Sequence, residues 1–304
     1  MATLKLKIMK FVDVKNDIAF RKIFGNEKKT KIIISFLNAI LKLEGDNRIK
    51  GVSIVNPFQL PRIAGEKASI IDVRAIDLKN RQFVIEMQIA ETKGFDKRVQ
   101  YYSCRDYSMQ IDRGEDYPKL KPTYFIGILD FDYFESENYL SHHIILDNET
   151  YEHKLKDIQF AFIELEKFTK KVDELETLVE KWVFFIKKAE ELEVIPENID
   201  DEGLLAAYND ADRHSWTKEE LRAYDNASIA EGDLVQREKF VADKATEEKI
   251  YKVVEKCLEK NMIPEDIADI VEKTVEEVLV IIEEIKICRL CERHKNICET
   301  VLHN

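Results

Sequence analysis

The chain has 304 residues, 45% of them hydrophobic and 35% charged, with only nine Gly and six Pro. This supports a substantial core and excludes a disordered, collagen-like or turn-dense all-β chain. Net charge is −12, yet residues 1–100 carry 20 Lys+Arg against 11 Asp+Glu while the remainder carries 27 against 48, so a basic N-terminal block precedes an acidic one.

Apolar residues recur at helical spacing from Asp17 to Leu43, and Gly25-Asn26 is expected to divide this stretch into two helices. Strand-like runs follow at Gly51–Asn56, Ala68–Ile76 and Gln82–Ala90, the last two joined by the hairpin-length segment Leu78–Arg81. Gly94–Gln110 has a helical pattern rich in Arg and Tyr, and Arg113–Pro122 reads as a loop. Thr123–Phe131 is expected to be a buried strand, with further strands at Ser141–Leu146 and Ile158–Phe168. From Val172 the character turns helical, with an amphipathic helix to Leu192 and helix-forming sequence from Trp216 to Lys260. A domain boundary near residue 170 is therefore expected.

Val253–Glu259, Glu265–Val271 and Val275–Ile285 are short helical stretches with tight connections, the outline of a helix-turn-helix. Their flanks are acidic, which suits a packing or self-association bundle better than a DNA reader. Cys288, Cys291, His294 and Cys298 could supply four soft ligands, but only one Cys pair has finger-type spacing. No zinc is expected, and the tail reads as carrying free thiols. There is no secreted-type disulfide framework, no signal-type leader and no apolar run of membrane-spanning length, so a cytoplasmic protein is expected.

The hairpin carries the chemistry. On a strand Glu86 and Gln88 share one face while Ile85 and Met87 share the other, and pairing around Lys79-Asn80 brings Asp72 near the level of Glu86–Gln88. Two carboxylates in an apolar surround repel unless a proton or cation intervenes, and Mg²⁺ or Mn²⁺ suits two carboxylate oxygens plus waters. In outline this is a metal-assisted phosphodiester-hydrolysis site, although many hairpins carry one acid on each strand for no such reason. On the next helix Arg98, Tyr102 and Arg105 fall at i, i+4 and i+7, where they could meet phosphate oxygens. The alternative is that the tyrosines, Tyr101 above all, pack on the sheet while Arg98 pairs with Asp72 or Glu86. Lys67 could meet a phosphate too, or simply be a surface lysine.

Taken in order, Lys15–Gly25, Phe36-Leu37-Asn38, Ile71-Asp72-Val73, Val84–Gln88, Arg98, Tyr101-Tyr102-Ser103, Gln110 and Tyr117–Pro122 resemble the PD-(D/E)xK nuclease family transposases. The resemblance covers residues 11 to about 170, and more faintly the helical tail to 285. It implies a restriction-endonuclease-like α/β fold, a mixed central sheet flanked by helices, over residues 1–170. An acidic helical region (171–287) and a Cys/His-containing tail (288–304) would follow. It further implies a Mg²⁺- or Mn²⁺-dependent DNA endonuclease associated with transposition or recombination. Asp72 and Glu86 would bind the metal and Gln88 would stand where the wider superfamily has a catalytic Lys. Gln cannot act as a general base, but its amide can hold a water. Asp17, in the opening motif, could complete the metal shell or merely stabilise the start of its helix. The rival expectation is an inactive nuclease fold kept for DNA or protein binding. RNA as the substrate is a third.

Overall fold

A computed structural model describes residues 9–55, 58–59, 69–70 and 72–287. Lys67 and the terminal Cys/His cluster lie outside the described residues.

The first helical run does divide. Helix α1 (Asp17–Phe24) begins where the Asn16 side chain accepts from the Ile18 and Ala19 amides, and it ends at Gly25. A Cβ at Gly25 would lie 2.6 Å from the Arg21 carbonyl oxygen, so only glycine fits this tight exit. Helix α2 (Lys31–Ile40) follows, buried along most of its length. Strand β1 (Val52–Val55) comes next, then the two-residue strands β2 (Phe58–Gln59) and β3 (Ser69–Ile70), which pair with each other. The hairpin of β4 (Val73–Asp77) and β5 (Gln82–Gln88) leads into helix α3 (Phe95–Ser108) and strand β6 (Thr123–Leu129). Strands β7 (Leu140–His143) and β8 (Ile158–Glu164) complete a six-stranded sheet in the order β1-β4-β5-β6-β8-β7. β5, β6 and β8 run parallel and the other pairings are antiparallel, so the sheet is mixed.

Alternation along the strands feeds two cores. Phe83, Ile85, Met87, Ile126, Ile128 and Ile163 join the helices on one face, while Val84, Phe125, Leu129 and Phe162 join Phe95 and Val99 of α3 on the other. Because both faces are covered, β5 is buried from Gln82 through Met87, and Glu86 lies inside that run. Gly127 pairs with Glu86 across β5 and β6. A Cβ there would come within 2.8 Å of the Phe162 ring. Gly127→Ala should therefore destabilise the fold by ~1–3 kcal/mol through overpacking, measured by denaturant melts. An unchanged midpoint would mean that Phe162 can move aside freely.

The division near residue 170 is not where the chain parts. Helices α4 (Leu178–Lys188) and α5 (Glu202–Ala211) bury Trp182, Phe185, Leu204 and Tyr208 in the same core as α1 and α2. Trp182 lies against Phe24 and Phe36, with ring centroids 5.8 and 5.6 Å away, and its indole N–H donates to Ser35 Oγ. The first compact unit runs to Glu231 and the second begins at Gly232, both inside the long helix α6 (Lys218–Glu259). The start of that helix holds the start of α1: Tyr224 Oη accepts from the Asp13 amide, and Asn16 Nδ2 donates to Ser228 Oγ at 3.1 Å.

In the second unit the end of α6, helix α7 (Pro264–Val271) and a helix α8 over residues 275–287 surround Val254, Ile267, Val278 and Ile282. Thr274 and Glu277 cap α8 reciprocally. The helix–turn–helix outline is thus present as a small packed bundle. Among the described residues no helix is long and apolar enough to cross a membrane.

Candidate active site

The carboxyl end of β5 meets the start of α3 and one flank of α1, at the open end of the parallel strands where α/β sheets hold their ligands. Val73 pairs with Ile85, so Asp72, at the bend before β4, comes opposite Glu86. Its Oδ2 accepts from the Met87 amide at 2.9 Å and its Oδ1 from Arg21 Nη2 at 3.0 Å. Arg21 also reaches Asp17, its i,i+4 neighbour, through Nε at 2.9 Å. Asp17, Arg21 and Asp72 therefore form one chain of charge across the mouth of the site.

Glu86 is 4% exposed, and its Oε1 has no hydrogen-bond partner among the described residues. Burial pushes its pKa up to about 8, and the Asp72 charge adds to this while Arg98 and Arg21 oppose it. Asp17 is raised chiefly by burial, which the Arg21 charge opposes and the nearby Asp72 carboxyl reinforces. Gln88 Nε2 donates to the Met87 carbonyl at 2.9 Å and lies 3.4 Å from Glu86 Oε2, while its Oε1 accepts from Arg98 Nη2. The amide is thereby oriented from both ends. Tyr102 sits close enough for Glu86 to help raise its hydroxyl pKa, after burial.

The residues singled out in the sequence thus separate. Asp72, Glu86, Gln88, Arg98 and Tyr102 come together, with Asp17 joined through Arg21. Arg105 does not: it is buried, and its Nη1 donates to the Tyr101 hydroxyl. Seven positions along a helix return to nearly the same flank but rise about 10 Å along the axis, which carries Arg105 away from the carboxylates beside the start of α3. Tyr101 does not pack on the sheet but is 43% exposed. Arg21 went unrecognised, although its i,i+4 spacing from Asp17 was a readable signal. A second ion pair, Lys15 Nζ to Asp130 Oδ2 at 3.0 Å, flanks the same strand end, where the Asp130 amide donates to the Gln88 carbonyl.

A model of the PD-(D/E)XK nuclease family transposases matches residues 14–239. The chain belongs to this family. Comparison with curated proteins and with solved structures gives no match. The mixed sheet with helices on both faces is the restriction-endonuclease-like α/β arrangement of these nucleases, and the family gives the chain a nuclease- or transposase-related function. The family match ends within α6, beyond the expected boundary at 170, as does the first compact unit.

Among the described residues no group of three or more His, Cys, Asp or Glu side chains is arranged as a metal cluster. Asp72 and Glu86 nonetheless make a donor set that fits a hard divalent cation, which commonly takes one or two carboxylates and keeps several waters. Glu86 Oε1 has no partner among the described residues, and the nearby Asp72 carboxylate is paired with Arg21.

Proposed function

We propose that the chain is a Mg²⁺- or Mn²⁺-dependent DNA endonuclease acting in transposition or recombination. The observation that carries this reading is Oε1 of Glu86, without a partner among the described residues and buried near a second carboxylate on a strand covered on both faces. A hairpin kept for packing alone would have an apolar residue there, since an uncompensated buried carboxylate costs several kcal/mol.

Asp72 and Glu86 would hold the cation, with Asp17 available from α1. When bound, the metal would acidify a water and offset charge developing on the scissile phosphate. Gln88, oriented by Arg98 and the Met87 carbonyl, would hold that water by hydrogen bonding without taking its proton. Arg98 and Tyr102 would receive the phosphate oxygens. Arg21 holds Asp72 Oδ1 and would compete with a cation for that oxygen. Its side chain is 41% exposed, so on leaving Asp72 it could turn toward a phosphate.

Supercoiled plasmid incubated with Mg²⁺, Mn²⁺, Ca²⁺ or EDTA tests the reading. Nicking in Mg²⁺ or Mn²⁺ and none in EDTA is expected; binding without cleavage in any metal would leave an inactive nuclease fold. RNA cut in preference to DNA would correct the substrate. Arg21→Ala should raise Mn²⁺ affinity up to about fivefold by calorimetry, since it removes a half-exposed ion pair that competes for Asp72. The same variant should cleave more slowly. Weaker Mn²⁺ binding would mean that Arg21 organises the carboxylates rather than competing for them.

A further inference from the structure

The inward stripe of α3 is Phe95, Val99, Ser103 and Asp106. At about 100° per residue, Arg98 and Tyr102 fall on one side of that stripe and Asp96 and Gln100 on the other. The first side meets the carboxylates. The second borders a hollow of about 210 Å³ whose walls are Phe95, Tyr133, Phe134, His143, Phe160 and Phe162. This is smaller than the ~300–1,000 Å³ typical of sites for drug-sized molecules.

The rings stand edge to face or tilted, with centroids 5.1 Å apart for Phe95 and Tyr133, 5.0 Å for Phe134 and Phe162, and 4.6 Å for Phe134 and His143. Tyr133, Phe134, His143 and Phe160 are only partly buried, so the hollow opens to solvent while Asp96 and Gln100 provide a polar rim. An aromatic hollow with a polar rim fits a flat ring that stacks through its faces and hydrogen-bonds along its edge. The hollow neighbours the candidate active site through Phe95: the Arg98 guanidinium lies 5.7 Å from the centre of the Phe95 ring, and the same guanidinium bonds Gln88. Between the two lies the start of α3, where Gly94 at φ 78° provides no side-chain cap for the first amides. A strand with one phosphate at Arg98 would cross this helix start and bring an adjacent base over the hollow.

We propose that the hollow takes an unpaired nucleobase of the strand being cut, so that the substrate is single-stranded or locally unpaired DNA. This rests on the nuclease reading above. A base inside a duplex must first be unstacked and unpaired to reach the rings, whereas a single strand avoids most of that cost. Stacking on aromatic rings tolerates any base, so the hollow adds strand preference without a sequence code.

The test uses the full chain in Ca²⁺ and short oligonucleotides in which a fluorescent purine analogue is moved one position at a time. One position should change its fluorescence on binding. An abasic residue there should weaken binding roughly 5- to 150-fold, the range for losing one base–aromatic stack. Phe134→Ala should cause a similar loss with no further loss from the abasic residue, and Phe134→Tyr should restore binding. Should Phe134→Ala fail to fold, Gln100→Ala on the exposed rim supplies the second measurement and should weaken the normal strand more than the abasic one. Duplex bound as tightly as single strand, or an abasic penalty unchanged in these variants, would overturn the proposal. So would tight binding of a trimethyl-lysine peptide with none of the oligonucleotides, which would assign the cage to a cation. Cleavage in Mg²⁺ with a flat abasic series removes the hollow alone, whereas an intact abasic series with no cleavage in any metal removes only the nuclease chemistry.

Discussion

Replacing Asp72 or Glu86 by Ala is expected to lower plasmid cleavage roughly 10⁴-fold or more, the scale seen when a residue acting as part of a catalytic unit is removed. Both carboxylates are needed because the pair sets up the cation site, and a single remaining carboxylate also loses the neighbour that opposes it. Mn²⁺ binding by calorimetry should disappear in both variants, while circular dichroism and melting remain those of a folded chain. Gln88→Ala should separate from these, with a rate lowered ~10²–10³-fold, as for loss of one preorganised polar group, and nearly unchanged Mn²⁺ affinity. Wild-type cleavage by either alanine variant of the acids would move the metal site elsewhere in the chain.

Glu86 should also make the metal-free protein less stable as pH rises. Its pKa is about 8 in the folded chain against an ordinary 4.5. Between these values the folded state keeps a proton that the unfolded state has lost, so stability falls with rising pH across that window and is flat on either side. A shift of this size corresponds to at most ~5 kcal/mol between acidic and mildly alkaline solution. In EDTA, Glu86→Gln should therefore be more stable than wild type by a few kcal/mol at the alkaline end, with the gap closing toward acid. Mg²⁺ should restore the wild type there by mass action and leave Glu86→Gln unmoved. A gap that does not change with pH would show that Glu86 is ionised and compensated in the folded chain.

Those expectations rest on features that differ in how visible they were. Strand alternation and the length of the Leu78–Arg81 loop were enough to align Asp72 with Glu86, because register in a short hairpin is set locally. Gly25-Asn26 marked the break between α1 and α2 for the same reason. Long-range packing left no such trace. Trp182 reads as part of the stripe of a separate helical region, and nothing nearby says that its partners are Phe24 and Phe36, more than 140 residues earlier. The helix expected from Val172 begins only at Leu178, where Thr177 and Glu180 form a capping box that was overlooked. The strand expected at Ser141–Leu146 stops at His143, and Ile144, Ile145 and Leu146 are exposed despite their apolar character. Arg105 shows a third case, in which spacing gave the right helix and flank but a position too far along the axis to reach the carboxylates.

The hold of α6 on α1 has a consequence in time. Asn16, which begins the helix carrying Asp17 and Arg21, is bonded to a residue 212 positions later. At ~5–20 residues per second, a ribosome needs tens of seconds to cover that interval. For most of it, from the synthesis of Glu86 onward, the emerging chain has the hairpin acids but not the support that fixes α1 against them. Closing so long a loop is also slow once the segments exist. A site built this way is assembled last, after nearly the whole first compact unit has been synthesised, so partial chains released early would carry the acids without the full arrangement.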